Sequence, residues 1–225
     1  MAPDIDCSDP SELLSGVRLA RAAIGRGELV VIPTDTVYGV AADAFSPAAV
    51  QRLLDAKGRG RDSPPPVLIP SIAALDALAE SVPSEVRALV AKFWPGGLTV
   101  ILPARSSLSW DLGDARGTVA LRMPSNRVAL DLLAETGPLA VSSANLTGKP
   151  AAHTSGEARA DLGDTVSVYL NDGQVGAANS DSAEPSSTIV DATGLMKDGG
   201  KLRIVRHGVI SDDAIRALIG ADRCE

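Results

Sequence analysis

The first hydrophobic stripe opens after Asp9-Pro10-Ser11-Glu12, which combines an N-cap, a proline at the first helical position and a capping glutamate. Leu13, Leu14, Val17, Ala20 and Ile24 then recur at helical spacing until Gly25 and Gly27 end the pattern, which predicts the first helix. The next apolar run, Leu29 to Pro33, is short and unbroken, as a buried strand requires, and it opens into polar Thr34-Asp35-Thr36. Ser46-Pro47 starts a second helical stripe through Val50, Leu53 and Leu54 that carries Lys57 in its last turn before Gly58. Further strands are predicted at Val67 to Ile69, Leu98 to Leu102, Val119 to Arg122, Leu139 to Ser142, Val166 to Leu170, Thr188 to Asp191 and Leu202 to Val205. Helices are expected after Ser71, Ser84 and Ser211 and near Arg127 to Glu135, and Gly173 to Pro185 reads as a loop. Strands interleaved with helices imply a layered α/β domain, and the short strand-to-strand connections imply a mixed sheet.

Composition narrows the classes. The chain has 225 residues, 45% hydrophobic and 22% charged, which excludes a disordered or collagen-like protein, and no break suggests more than one domain over residues 1–225. Net charge is −7 and aromatics are 3%, a poor basis for stable, direct nucleic-acid binding, so any anion site must be a local island of Lys and Arg. Cys7 and Cys224 stand far apart without Cys/His metal spacing and read as reduced thiols. The acidic start MAPDIDCSDP lacks the basic and apolar regions of a signal peptide, and no apolar run approaches the ~18 residues of a membrane span; the expectation is a cytoplasmic protein with no membrane contact. The sequon at Asn145 therefore needs another reading.

Several chemistries lack their residues. There is no GxxxxGK[ST] loop, no GxSxG elbow and no HExxH, and two histidines, His153 and His207, make a histidine-based mechanism a poor fit. Gly58-Arg59-Gly60 follows a helix instead of a strand and is rejected as a dinucleotide loop. The same segment places Lys57, Arg59 and Arg61 on a glycine-rich backbone, as either a solvated face or a grip on polyphosphate; on an exposed loop, truncating Lys57 or Arg59 is expected to leave folding untouched. Arg122 and Arg206 each close a short apolar strand and need an anion, from a ligand or from a structural carboxylate. Ser142-Ser143-Ala144-Asn145 after a strand either binds an anion or caps a helix, and the hydroxyls of Thr34 to Thr36 and Ser186 to Thr188 are anion contacts or plain turn formers. Tyr38, Phe93 and Trp94 read as core or pocket wall.

The ordered set PTDTVYGV (33–40), AKGRGRD (56–62), WPGGLTVIL (94–102), VALRMP (119–124), VSSANLTGKP (141–150), SSTIVD (186–191) and IVRHG (204–208) closely resembles the YrdC-like threonylcarbamoyl-AMP synthases over residues 12–210. The resemblance implies a three-layer α/β fold, a twisted mixed sheet flanked by helices around a basic concave cavity. It implies an enzyme, a nucleotidyltransferase that condenses L-threonine, bicarbonate or CO2, and ATP carrying Mg2+, to threonylcarbamoyl-AMP and pyrophosphate. The product would pass to the machinery that transfers threonylcarbamoyl to tRNA, for the N6-threonylcarbamoyladenosine modification. Matched position by position, Thr34, Arg122 and Ser142 would hold threonine. Lys57, Arg59, Ser63, Thr118, Ala144, Asn145, Ser187 and Arg206 would contact nucleotide, Ala144 through its backbone, with Lys57 and Arg59 also serving catalysis and no protein-held metal. Gly60 and Leu68 depart from residues common in the family, a proline and a histidine. A carbamoyl-transfer domain of the same fold and an RNA-binding module are the rival readings.

Overall fold

A computed structural model of the chain describes residues 1–176 and 186–225, so part of the predicted 173–185 loop lies outside the described residues. Among the described residues ten strands form one sheet: β1 (Asp4–Asp6), β2 (Val30–Ile32), β3 (Gly39–Asp43), β4 (Val67–Leu68), β5 (Leu98–Pro103), β6 (Thr118–Arg122), β7 (Leu139–Ser143), β8 (Val168–Asn171), β9 (Thr188–Asp191) and β10 (Arg203–Arg206). Their order is β1-β8-β2-β3-β7-β4-β6-β5-β9-β10, with parallel and antiparallel neighbours mixed, as the short connections require. The helices are α1 (Pro10–Gly25), α2 (Pro47–Lys57), α3 (Ile72–Leu78), α4 (Ser84–Phe93), α5 (Arg127–Thr136), α6 (Ser155–Leu162) and α7 (Asp212–Ile219). Among the described residues no helix is long and apolar enough to cross a membrane.

Side-chain alternation sorts the helices into two layers. Val30, Ile32 and Ala41 pack with Val17, Ala20 and Ile24 of α1 and with Leu132 and Leu133 of α5. Their neighbours Leu29, Val31, Val40 and Ala42 point the other way, against Ala49 and Leu53 of α2 and Ala158 and Leu162 of α6. Further along that second face Val67, Val100, Leu121 and Ala140 meet Leu75 of α3, Leu89 of α4 and Ile215 of α7. The first face is covered only in part, since the cluster under α1 and α5 reaches no strand beyond β4.

Most predicted elements fall within a residue or two of the observed ones. Three were missed. β1 is a three-residue edge strand rich in aspartate, and β3, GVAAD, is built from residues of low strand propensity that are retained because antiparallel neighbours pair on both sides. The helix α6 has a faint apolar stripe, but Thr154 and Glu157 form the reciprocal capping box that marks it. Two details of α1 differ from expectation. Glu12 accepts from the Asp6 backbone N–H instead of closing a box on Asp9, and Leu14 is exposed.

β10 and the chain after it are clamped from below: a Cβ on Gly208 would lie 2.4 Å from Ser186 O and 2.5 Å from Thr188 N, both backbone atoms. Gly208→Ala is expected to destabilise the protein by about 1–3 kcal/mol through overpacking, roughly 2–12 °C in melting temperature. Gly25, with nothing within 4 Å of its would-be Cβ, provides the control. Gly25→Ala should melt at or slightly above the parent temperature in the same thermal unfolding experiment.

Candidate functional site

The uncovered part of the sheet is a cleft of about 400 Å3. Gly39 of β3, Val141 of β7, Leu68 of β4, Arg122 of β6, Thr99 of β5 and Ile189 of β9 line it strand by strand. The pleat explains the floor: Pro64, Pro66 and Leu68 line the cleft, while Val67 and Ile69 belong to the core on the opposite side. Arg59, Lys149 and Arg206 stand with Arg122 on its walls, and no carboxylate lies among the lining residues described.

Arg122 is the buried member, 7% exposed at the end of β6. Its Nε donates to Gly96 O at 3.0 Å and its Nη1 to Thr36 Oγ1 at 3.1 Å. Its Nη2 stands 2.8 Å from Asp35 Oδ2 in an ion pair. Burial pulls the guanidinium below its ordinary pKa, and Asp35 opposes that pull. Asp35 is held in turn by the Ser125 backbone N–H at 2.9 Å. Thr36 Oγ1 lies 3.2 Å from Thr34 Oγ1, which donates to Val37 O at 2.6 Å and accepts from the Thr36 and Val37 N–H groups. The hydroxyl of Thr34 thus closes a turn that holds Arg122 in place through Thr36. Both alternatives left open for Arg122 are therefore partly met: a structural carboxylate is present, yet three partners leave part of the guanidinium's five N–H donors for a ligand.

Arg206, ending β10, donates from Nε to Ser187 O at 2.9 Å and from Nη2 to Ser187 Oγ at 2.7 Å; Ser187 Oγ also bridges to Thr99 Oγ1 at 2.8 Å. Its partners among the described residues are neutral. Burial lowers its pKa first, and the nearby charges of Arg122 and Arg59 lower it further. Arg59 makes no ion pair among the described residues. Arg122 and Arg59 thus press their charge on Arg206 around one hollow, an arrangement suited to an anion. Lys149 joins them while paired with Asp161 at 2.6 Å.

Lys57 is placed differently from its sequence expectation. It closes α2 and is 1% exposed, not on an exposed loop, and it does not line the cleft. Its Nζ donates to Ser143 O at 2.6 Å, to Asn145 Oδ1 at 3.1 Å and, very closely, to Asn145 O. Arg61 is turned away into ion pairs with Asp111 at 2.6 Å and Asp114 at 3.8 Å.

Of the eleven residues singled out, the cleft gathers Thr34, Arg59, Arg122, Ser142, Asn145, Ser187 and Arg206; Lys57, Ser63, Thr118 and Ala144 lie off its lining. Ser142 borders it where β7 ends, and its hydroxyl makes no hydrogen bond among the described residues. Asn145 spends its amide on Leu146 O and Lys149 O. Thr118, at the far end of β6 from Arg122, donates to Ala115 O. Ala144 gives its N–H to Tyr38 O, which leaves only its carbonyl for any backbone contact. Thr36, Asp35, Thr99 and Lys149 were missed as individual site residues. Asp35 and Thr36 sit inside the TDT string, and Lys149 inside GKP, but only the folded register shows which of these face the cleft. Trp94 is core, its indole donating to Leu98 O at 2.7 Å.

The fold and cleft define an α/β protein with a basic hollow over the open face of its sheet. The chain belongs to the Sua5/YciO/YrdC family, whose model, described as telomere recombination, matches residues 22–208. A Mycobacterium tuberculosis protein provisionally named a threonylcarbamoyl-AMP synthase is 46% identical over 222 residues, 99% of this chain and 97% of its own. The threonylcarbamoyl-AMP synthase of Bacillus subtilis is 34% identical over 219 residues, 96% of this chain and 59% of its own. Pyrococcus abyssi Sua5, solved with L-threonine, superposes with a TM-score of 0.85 at 30% identity, covering 100% of this chain and 62% of that one. This chain therefore spans about three fifths of the length of the Sua5 structure it matches. Escherichia coli YciO, at 22% identity and a TM-score of 0.78, shares the fold.

Asp35→Asn keeps the contact to the Ser125 N–H but leaves Arg122 without its countercharge. Breaking a buried pair costs about 3–5 kcal/mol, less beside an open cleft, so a fall of roughly 4–12 °C is expected in thermal unfolding. Added chloride or phosphate should restore part of that loss by supplying the missing charge.

Proposed function

We propose that this protein is an L-threonylcarbamoyladenylate synthase. The observation that carries the reading is the convergence of Arg59, Arg122 and Arg206 on a cleft with no carboxylate among its described lining residues, in a chain of net charge −7. The names of the related synthases and the threonine complex of Pyrococcus abyssi Sua5 support the same substrates. The chemistry needs no protein nucleophile. Threonine's amine attacks CO2 to give a carbamate, a carbamate oxygen attacks the α-phosphorus of ATP, and the bond to pyrophosphate breaks. What the site must do is orient three reactants and offset crowded negative charge, which is work for guanidinium groups and hydroxyls already in place.

On this reading Arg122 takes the threonine carboxylate through its remaining N–H groups, with Ser142 and the Thr34 turn beside it. Arg59 and Arg206 take the phosphates, and Lys149, which keeps about half of its side chain exposed, is close enough to join them. Mg2+ arrives as part of the nucleotide, whose phosphate oxygens are hard ligands suited to it. The continuous ten-stranded sheet supports reading residues 1–225 as one domain. Transfer of threonylcarbamoyl onward to tRNA by a separate enzyme, in the cytoplasm, completes the proposal.

Pyrophosphate release from ATP should require threonine and bicarbonate together, because neither alone forms the carbamate. Equal release with threonine omitted would overturn the assignment. Serine, lacking one methyl, should be used less well, by a factor that about 1–3 kcal/mol allows. Arg122→Lys should raise the threonine dissociation constant roughly tenfold to a hundredfold in calorimetric titration, since an ammonium cannot reproduce a guanidinium's parallel hydrogen bonds. ATP affinity measured alone should change much less.

A further inference from the structure

Among the described residues the ammonium of Lys57 has no carboxylate within ion-pair distance, and it does not line the cleft. Its acceptors are two backbone carbonyls and one amide oxygen, all from residues 143 and 145, with Ser143 Oγ more distant at 3.4 Å. The lysine's own carbonyl completes the clasp, accepting from Thr147 N at 3.1 Å and Thr147 Oγ1 at 2.8 Å. One residue therefore ties both sides of the segment that runs from the end of β7 to Thr147, in which Ser142, Ser143 and Asn145 border the cleft. A charge desolvated this thoroughly persists only where its hydrogen bonds are well made.

We infer that Lys57 is a positioning residue, whose ammonium draws the carbonyls of Ser143 and Asn145 inward and so presents Ser142 and the turn that follows to the ligands in the cleft. It touches neither phosphate nor amino acid. The inference rests on the proposed function for the identity of the ligands, and it replaces the direct phosphate contact expected from sequence. Its electrostatic setting agrees. Burial, with the positive charge of Arg59 adding and Asp161 opposing, brings the Lys57 pKa down to about 8; Asp161 is itself paired with Lys149. The sign is unusual and useful. Because the folded pKa lies below the unfolded value, the folded state binds fewer protons between about pH 8 and 10.5, so Lys57 makes stability rise with pH there. Loss of the proton removes one of the three donors of the clasp, so ligand affinity should fall over the window in which stability rises.

The test is calorimetric titration of the full chain with threonine and with ATP separately, for the parent protein and Lys57→Met, with thermal melts at each pH. Lys57→Met should bind both ligands roughly tenfold to a hundredfold more weakly, because both face the turn. The parent's affinity should decline from pH 8 to 10 relative to the variant's, while the parent's melting temperature gains on the variant's. Weakened ATP binding with unchanged threonine binding would overturn the inference and make Lys57 a phosphate contact; unchanged binding of both would overturn it as well. Amide exchange without ligand separates it from the functional reading: Lys57→Met should open residues 143–147 selectively, and unchanged protection there refutes the clasp even if the parent binds neither ligand. If Lys57→Met fails to fold, Lys57→Arg carries the same titrations, and full retention of both affinities with a flat pH dependence would count against the ammonium geometry.

Discussion

The constraint on which the structure depends is the separation of a few cations from the many carboxylates around them. With 28 acidic side chains available, Arg59 and Arg206 still have no acidic partner among the described residues, and Lys57 is enclosed by neutral oxygens. The charges of Lys57 and Arg206 are desolvated at a cost that folding must offset elsewhere, and the three core clusters on the two faces of the sheet supply that surplus. The site is thus assembled before any ligand arrives. Binding an anion relieves a repulsion already present and demands little rearrangement.

How that separation is achieved follows from strand order. β6 and β7 flank β4, so Arg122 and the Ser142–Asn145 segment, distant in sequence, come to one edge of one hollow. β9 and β10 then bring Ser187 and Arg206 across from the other side, locked by the contact of Gly208 with the backbone of residues 186–188. Asp35 is positioned by its own hydrogen bond to Ser125 and steadies the most deeply buried guanidinium. Neutral groups do the remaining work: Gly96 O, Thr36 and Ser187 hold guanidiniums without cancelling them.

Much of this was legible in the residues. Apolar runs, capping residues and glycines located most strands and helices, because those signals are local. The strings that carry the family resemblance also fall largely on the cleft. What was not legible is which atoms a neighbouring segment has already claimed. Lys57 and Arg59 are two residues apart in one glycine-rich string, yet the last turn of α2 sends the first inward and leaves the second at the cleft wall. The amide of Asn145 and the hydroxyl of Thr34 look available in a string of letters and are occupied in three dimensions. Pairing of this kind is long-range, 86 residues in the case of Lys57 with Ser143, and no periodicity reports it.

The shortness of β4 has a consequence for how such a cleft changes over evolutionary time. The hollow is a notch in a sheet: two residues pair with β6 and β7, and Pro64 and Pro66 of the chain before them line the cavity. A notch of this kind can widen or narrow only in units of strand, about 3.3 Å per residue, and a one-residue slip would exchange Leu68 for a neighbour that belongs to the opposite core. Site dimensions are therefore discrete. A lineage can alter what the floor presents by substituting Leu68, but to alter its span it must add or remove residues in pairs.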